Sequence, residues 1–299
     1  MNILLATDGR QPARDAAELL VRLVDPAHAE VTVIHAREYG NEVFAENYAT
    51  DVLAEAKTTF DGAGIASHPL YVDAPATVAI AKAVADGGSE LLVLGAGNHT
   101  WLGGLVFGSV STHVLHTALT PVLLVHRAPR PEHDRIKVLI GADGSPAAIH
   151  AIDTLVGLTE PGRIEAEVRS VVELPEPALD WADPGGGGVM LATYVKNLFQ
   201  QAEELATRNL DVTLERLRSE GFRPNGSLGE GWAGNDLLDH AERGDADVVV
   251  VGARGNGLLA RLTMGSVSSH VVRHAPATLM THATAPHDEK GTWRGLTTT

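Results

Sequence analysis

Val248-Val249-Val250-Val251-Gly252-Ala253-Arg254-Gly255, nine further residues and then Gly265-Ser266-Val267-Ser268 form the stretch that decides the fold. It reads as strand, glycine loop, helix. An unbroken aliphatic run suits a strand buried on both faces, and glycines let the backbone turn and approach a guest closely. The helix that follows points its first N–H groups at an anion, for which phosphate is the natural choice. Leu91-Leu92-Val93-Leu94-Gly95-Ala96-Gly97-Asn98, nine residues and Gly108-Ser109-Val110-Ser111 repeat the pattern 157 positions earlier.

A second repeat lies upstream of each glycine loop. Val138-Leu139-Ile140-Gly141-Ala142-Asp143-Gly144-Ser145 overlays Ile3-Leu4-Leu5-Ala6-Thr7-Asp8-Gly9-Arg10 at an offset of 135. Two offsets in one chain require an insertion of about 22 residues in the second half, and Pro175 to Gly188, with its prolines and four consecutive glycines, is the expected loop, ahead of a longer helix. Strands are expected near 3–6, 30–36, 68–72, 90–94 and 121–126, and again near 137–141, 167–172, 226–230, 247–251 and 278–282. Apolar residues at helical spacing mark helices over 53–60, 76–85 and 198–217. Such alternation predicts an α/β protein of two tandem, doubly wound, Rossmann-like domains, each a five-stranded mainly parallel sheet with helices on both faces. The expected boundaries are 1–127 and 135–283, joined by a short exposed linker at 128–134 and followed by a mobile tail at 284–299.

The composition narrows the function. The 299 residues carry 23 Lys and Arg against 38 Asp and Glu, a formal charge of −15. With no basic run, a polyanion such as nucleic acid is a poor partner. The absence of cysteine excludes disulfides, thiolate metal sites and thiol nucleophiles. No apolar run is long enough to span a bilayer and no basic leader opens the chain, so a cytoplasmic protein without a membrane partner is expected.

Taken together, the doubled Gly-x2-Gly-x9-Gly-Ser pattern and the strand-Asp-Gly opening of each half resemble the universal stress protein family, in particular its ATP-binding branch, as a tandem two-domain member. The resemblance implies an adenine nucleotide, ATP with Mg2+, as cofactor. In the second half it implies phosphate contacts at Gly252, Gly255, Gly265, Ser266 and Val267. It further places the ribose at Asp143 and adenine against Ala142 and Val171. Gly252 and Gly255 would allow a positive φ and a close backbone approach. The first-half counterparts are Asp8, Ala6, Gly95, Gly108, Ser109 and Val110, with Asn98 at the second glycine position; its side chain and the lost Arg254 charge imply a weaker site there. The family's last strands pair across domains, so an internal pseudo-dimer of the two halves is expected, with further association into a homodimer left open.

Other readings stay open beside this one. Asp-Gly-Ser-Pro is also a helix-cap sequence, so Asp143 and Asp8 have a purely structural alternative. His113 with His116, and His270 with His274, share helix faces, but no third ligand is evident and a packed or solvated face is the simpler account. No catalytic triad, Walker loop or dinucleotide fingerprint follows a strand. The expectation is therefore an ATP-binding stress-response regulator with no catalytic residues and at most slow ATP hydrolysis. The alternatives are an enzyme of adenylate chemistry, or an interaction module with vestigial pockets and an unknown protein partner.

Overall fold

A computed structural model of the chain describes residues 1–36, 42–96, 99–101, 104–106, 108–117, 120–173, 188–255 and 264–282. The first half runs β1 (Asn2–Ala6), α1 (Gln11–Leu23), β2 (Glu30–Ala36), α2 (Glu42–Gly62), β3 (Ala66–Val72), α3 (Ala76–Gly87), β4 (Leu91–Gly95), the short strands β5 (His99–Trp101) and β6 (Gly104–Val106), α4 (Ser109–Thr117) and β7 (Val122–Val125). The second runs β8 (Ile136–Gly141), α5 (Pro146–Leu158), β9 (Ile164–Val172), α6 (Gly188–Ser219), β10 (Asn225–Glu230), α7 (Ala233–Arg243), β11 (Val248–Gly252), α8 (Ser266–His274) and β12 (Ala277–Thr281).

All ten expected strands join one sheet in the order β10-β9-β8-β11-β12-β7-β4-β1-β2-β3. Pairing is parallel within each half. At the centre β12 meets β7 antiparallel, with Ala277 opposite Val125 and Met280 opposite Val122, so the last strands of the halves join them into a single sheet.

Each aliphatic run serves two faces. Ile3, Leu5, Val248 and Val250 pack with α1 and α5 on one side, while Leu4, Leu92, Val249 and Val251 pack with α3, α7 and α8 on the other. Alternate side chains of a strand point to opposite faces, so only a continuous apolar run satisfies both. Each such Val or Leu, fully buried, contributes about 1.5–3 kcal/mol.

The sheet order also creates the crevice. From β8 the chain passes to β9 on one side and returns as β11 on the other, so the segments leaving β8 and β11 diverge at the carboxyl edge. Ligands of open α/β sheets bind at such a switch point. β1 and β4 make the same arrangement in the first half.

Two sequence expectations, on the linker and on the first glycine loop, are refined. The insertion includes a longer helix as anticipated, 32 residues in α6 against 21 in α2. The expected flexible loop, 175–188, lies outside the described residues except for Gly188, which opens α6, and the expected tail, 284–299, lies outside them entirely. The 128–134 segment is not simply exposed: Arg22 donates to the Arg130 carbonyl at 3.0 Å and to that of His133, and buried Asp247 accepts the Arg130 N–H at 3.0 Å and contacts the His133 ring at 2.9 Å. Its polar residues tie the two halves together. Nor is the first glycine loop wholly irregular, because β5 and β6 pair within it. Among the described residues no helix is long and apolar enough to cross a membrane.

Candidate functional site

The site begins where β11 ends. A Cβ on Gly252 would lie 2.6 Å from the Ala148 nitrogen, so α5 can pack its first turn against the strand only if residue 252 is glycine. Gly95 does the same against Pro12 and Ala13 of α1. Neither Gly252 nor Gly255 has a positive φ, so of the two reasons for glycine here it is close packing, not a left-handed turn, that requires the first. In the two aspartate turns it is Gly144, at +70°, and Gly9, at +75°, one residue after each aspartate, that are left-handed.

Ala253 then staples the loop. Its N–H donates to the Thr281 carbonyl at 2.7 Å, and its own carbonyl accepts the Gly265 N–H at 2.8 Å and the buried Ser268 hydroxyl at 2.7 Å. These bonds bring the two ends of the loop together and set the N-terminus of α8 beside the end of β11. Gly265 is the N-cap, and no side chain caps this helix. The opening N–H groups of a helix lack intrahelical partners, so those of Ser266 and Val267 are available to a guest. Ser266 itself is exposed.

The opposite wall is the end of β8. Asp143 accepts the Ser145 N–H at 2.9 Å through one carboxylate oxygen, and Ser145, not Asp143, caps α5 by accepting the Ala148 N–H at 3.1 Å. The other Asp143 oxygen stands 3.0 Å from where a Cβ on Gly255 would be, so a side chain there would crowd that carboxylate across the crevice. Ala142 is tied to β9 at both ends of its peptide: its N–H donates to the Arg169 carbonyl at 2.9 Å, and its carbonyl accepts the Ser170 hydroxyl at 2.7 Å.

A cavity of about 680 Å³ lies between these walls. Ala142, Asp143, Val171, Gly252, Gly255, Gly265, Ser266 and Val267, the eight second-half residues expected from sequence, all line it. Sequence reasoning missed Arg169, Ser170, Glu173 and, from α6, Leu205 and Asn209. A signal existed for Arg169: at the offset of 135 it replaces Ile34, and a charge in a buried strand needs a partner. Asp236 is that partner, meeting Arg169 Nε at 2.5 Å and Nη2 at 2.7 Å, with side chains 11% and 13% exposed. The pair holds the guanidinium pKa above its ordinary value.

The electrostatics distinguish the two ends of the cavity. Two helix N-termini reach it, at Ala233 of α7 and Ser266 of α8. Glu173 already occupies the first, accepting the Ala233 N–H at 2.6 Å. The α8 end carries no carboxylate cap, and Arg254 lines the same wall. An anion is therefore directed to α8.

In the first half Asp8 repeats the turn, accepting the Arg10 N–H at 2.9 Å, and the Thr112 N–H closes on the Gly108 carbonyl at 3.0 Å at the start of α4, where Ser109 and Val110 open the helix. The counterpart of Ala142 is Thr7 rather than Ala6, because the Thr7 N–H takes the same bond to β2, on the Ile34 carbonyl at 2.9 Å. The corner is filled differently. Tyr48 donates to the Asp8 carbonyl at 3.0 Å and lies over Gly9, where the second half has Asn209 over Gly144. His35 replaces Ser170, contacts the Thr7 carbonyl at 2.9 Å and stacks on Tyr71 at 6.4 Å. Asn98 lies outside the described residues.

On α8 the His270 and His274 rings lie against one another. His270 sits between Trp232, at 4.7 Å between ring centroids, and His274, at 4.6 Å. Burial, then the His274 and Arg273 charges, lowers the His270 pKa.

Parallel strands within each half, helices on both faces and a crevice at the switch point define the doubly wound α/β class. The family model described as the universal stress protein family matches residues 1–126 and again 135–281, and the chain belongs to that family. A universal stress protein of Mycolicibacterium smegmatis is 32% identical over 202 residues, covering 64% of this chain and 61% of that protein. One from Mycobacterium tuberculosis is 30% identical over 200 residues, covering 62% and 59%. The matched region thus spans about three fifths of these relatives' length. The crystal structure of a universal stress protein from Archaeoglobus fulgidus shares the fold with a TM-score of 0.61 at 20% identity, over 95% of this chain and 98% of that one.

Proposed function

We propose that the second half binds ATP and that the chain is a nucleotide-dependent regulator in the stress response, without dedicated catalytic residues. In this reading the phosphates meet the N–H groups of Ser266 and Val267, the ribose hydroxyls donate to Asp143, and the base lies against Ala142 and Val171. The observation that carries it is convergence: eight residues between Ala142 and Val267 meet in one cavity whose only uncapped helix end, among the described residues, faces inward. The volume falls within the roughly 300–1,000 Å³ usual for small-ligand sites. Among the described residues no three His, Asp or Glu side chains gather to hold a metal, so Mg2+ would arrive on the phosphates. The first-half site is proposed as the weaker, because Tyr48 lies across Asp8. The pairing of β7 with β12 supports reading the halves as an internal pseudo-dimer.

Titration of the full chain with ATP and Mg2+ tests this. One tight site per chain is expected, abolished by Ser266→Asp, whose carboxylate suits a helix start but repels phosphate. No uptake by the wild type would sink the proposal.

A further inference from the structure

Between the halves, three neighbouring positions differ together. At the offsets of 135 and 157, Arg169, Asp236 and Gly229 replace Ile34, Ala79 and Val72. Strand register agrees, since Val171 lies opposite Gly229 as Ala36 lies opposite Val72. Ile34 and Ala79 are 1% and 2% exposed in one apolar cluster. The second half has exchanged that contact for an ion pair, and Gly229 makes room, because any Cβ there would collide with the Asp236 carboxylate.

Stability does not explain the exchange. A desolvated ion pair holds a fold no better than well-packed apolar groups of similar volume. Arg169 is instead held in place. Asp236 takes Nε and Nη2, Ser227 accepts from Nη1 at 3.0 Å, and the residue lines the cavity. A guanidinium has five N–H donors, so two remain beyond these three bonds.

The sheet order says what they meet. Phosphates at β11 and ribose at β8 leave the base over β9, two strand spacings or about 10 Å from the glycine loop. Resting on the nucleotide reading above, we propose that Arg169 is the specificity-determining residue that reads an acceptor edge of the nucleobase, a ring nitrogen or carbonyl oxygen, and that Asp236 and Ser227 are its positioning residues.

The test uses the full chain, titrated with ATP, GTP, CTP and UTP and with inorganic tripolyphosphate, all with Mg2+. The double variant Arg169→Ile/Asp236→Ala keeps the net charge and installs the pair that packs in the first half. It is expected to fold with little change in thermal midpoint, to bind the preferred nucleotide about 10- to 100-fold more weakly, the worth of a charged hydrogen bond, and to narrow the ranking among bases. Tripolyphosphate, which has no base, should bind as in the wild type. Arg169→Lys keeps the charge without the planar fork, and its nucleotide affinity should fall between the two. Unchanged nucleotide affinity in both variants, or tripolyphosphate weakened in step with nucleotide, would overturn the role of Arg169 while leaving the site intact. A wild type that binds none of the four nucleotides overturns the nucleotide reading and this inference with it.

Discussion

The two halves trace the same path and differ where β2 and β9 end. In the first, Tyr48, His35 and Tyr71 pack together over Thr7 and Asp8; in the second, Ser170, Asn209 and a locked Arg169 leave a cavity beside Ala142 and Asp143. The scaffold bonds are conserved between them: Thr7 and Ala142 make the same bond to the neighbouring strand, and Gly95 and Gly252 make the same close contact with a helix. One half thus serves as a control for the other, separating residues that hold the fold from residues that shape a site.

The comparison can be pressed hardest at the amino ends of β4 and β11. Asp247, 3% exposed, accepts the Arg130 and Lys137 N–H groups and contacts His133. Its counterpart Glu90 is half exposed and accepts the Asn2 N–H, at 2.7 Å, beside the terminal amine. Asp247→Ala should cost about 3 kcal/mol by leaving buried donors unpaired, and Glu90→Ala less than about 1 kcal/mol. Denaturant unfolding of both variants measures the difference; equal losses would mean that the linker contacts do not matter.

A smaller effect divides the glycines by role. Gly252→Ala and Gly95→Ala should each cost about 1–3 kcal/mol, since the added methyl meets helix backbone. Gly255→Ala meets only an Asp143 oxygen at 3.0 Å, so it should stay within about 0.5 kcal/mol while weakening nucleotide binding. Thermal melts together with titrations read both quantities. Substituting Gly252 is therefore a poor probe of the phosphate site.

The smallest expected effect concerns the seam. His126, 4% exposed, contacts the Val272 carbonyl at 2.8 Å across the halves, and burial first, then the His274 charge, lowers its pKa from the usual 6.5. Below 6.5 the unfolded chain binds the proton that the folded chain refuses, so stability is full above that pH and declines as pH falls through it. Unfolding curves between pH 5 and 8 should show this slope, and His126→Gln should flatten it.

Much of this was legible in the sequence because the signals were local and doubled. Alternating strand-length and helix-length segments placed all ten strands of the large sheet, and the twice-repeated glycine motif, with the family resemblance it carries, named eight residues that share one cavity. What escaped depended on tertiary contact. Nothing in Gly252 itself tells that a Cβ there would meet the Ala148 nitrogen at 2.6 Å, nor in the polar 128–134 segment that Asp247 and Arg22 would claim it. The Arg169–Asp236 pair lay between: each residue looked ordinary alone, and only the paired replacement of Ile34 and Ala79 marked them.

The most direct test compares Ser266→Asp with Ser109→Asp, the same change at the first turn of α8 and of α4, by titration with ATP and Mg2+. The asymmetric account predicts that Ser266→Asp removes the tight site while Ser109→Asp leaves its affinity and stoichiometry unchanged. Equal losses in the two variants, or tight binding that survives Ser266→Asp, would contradict it.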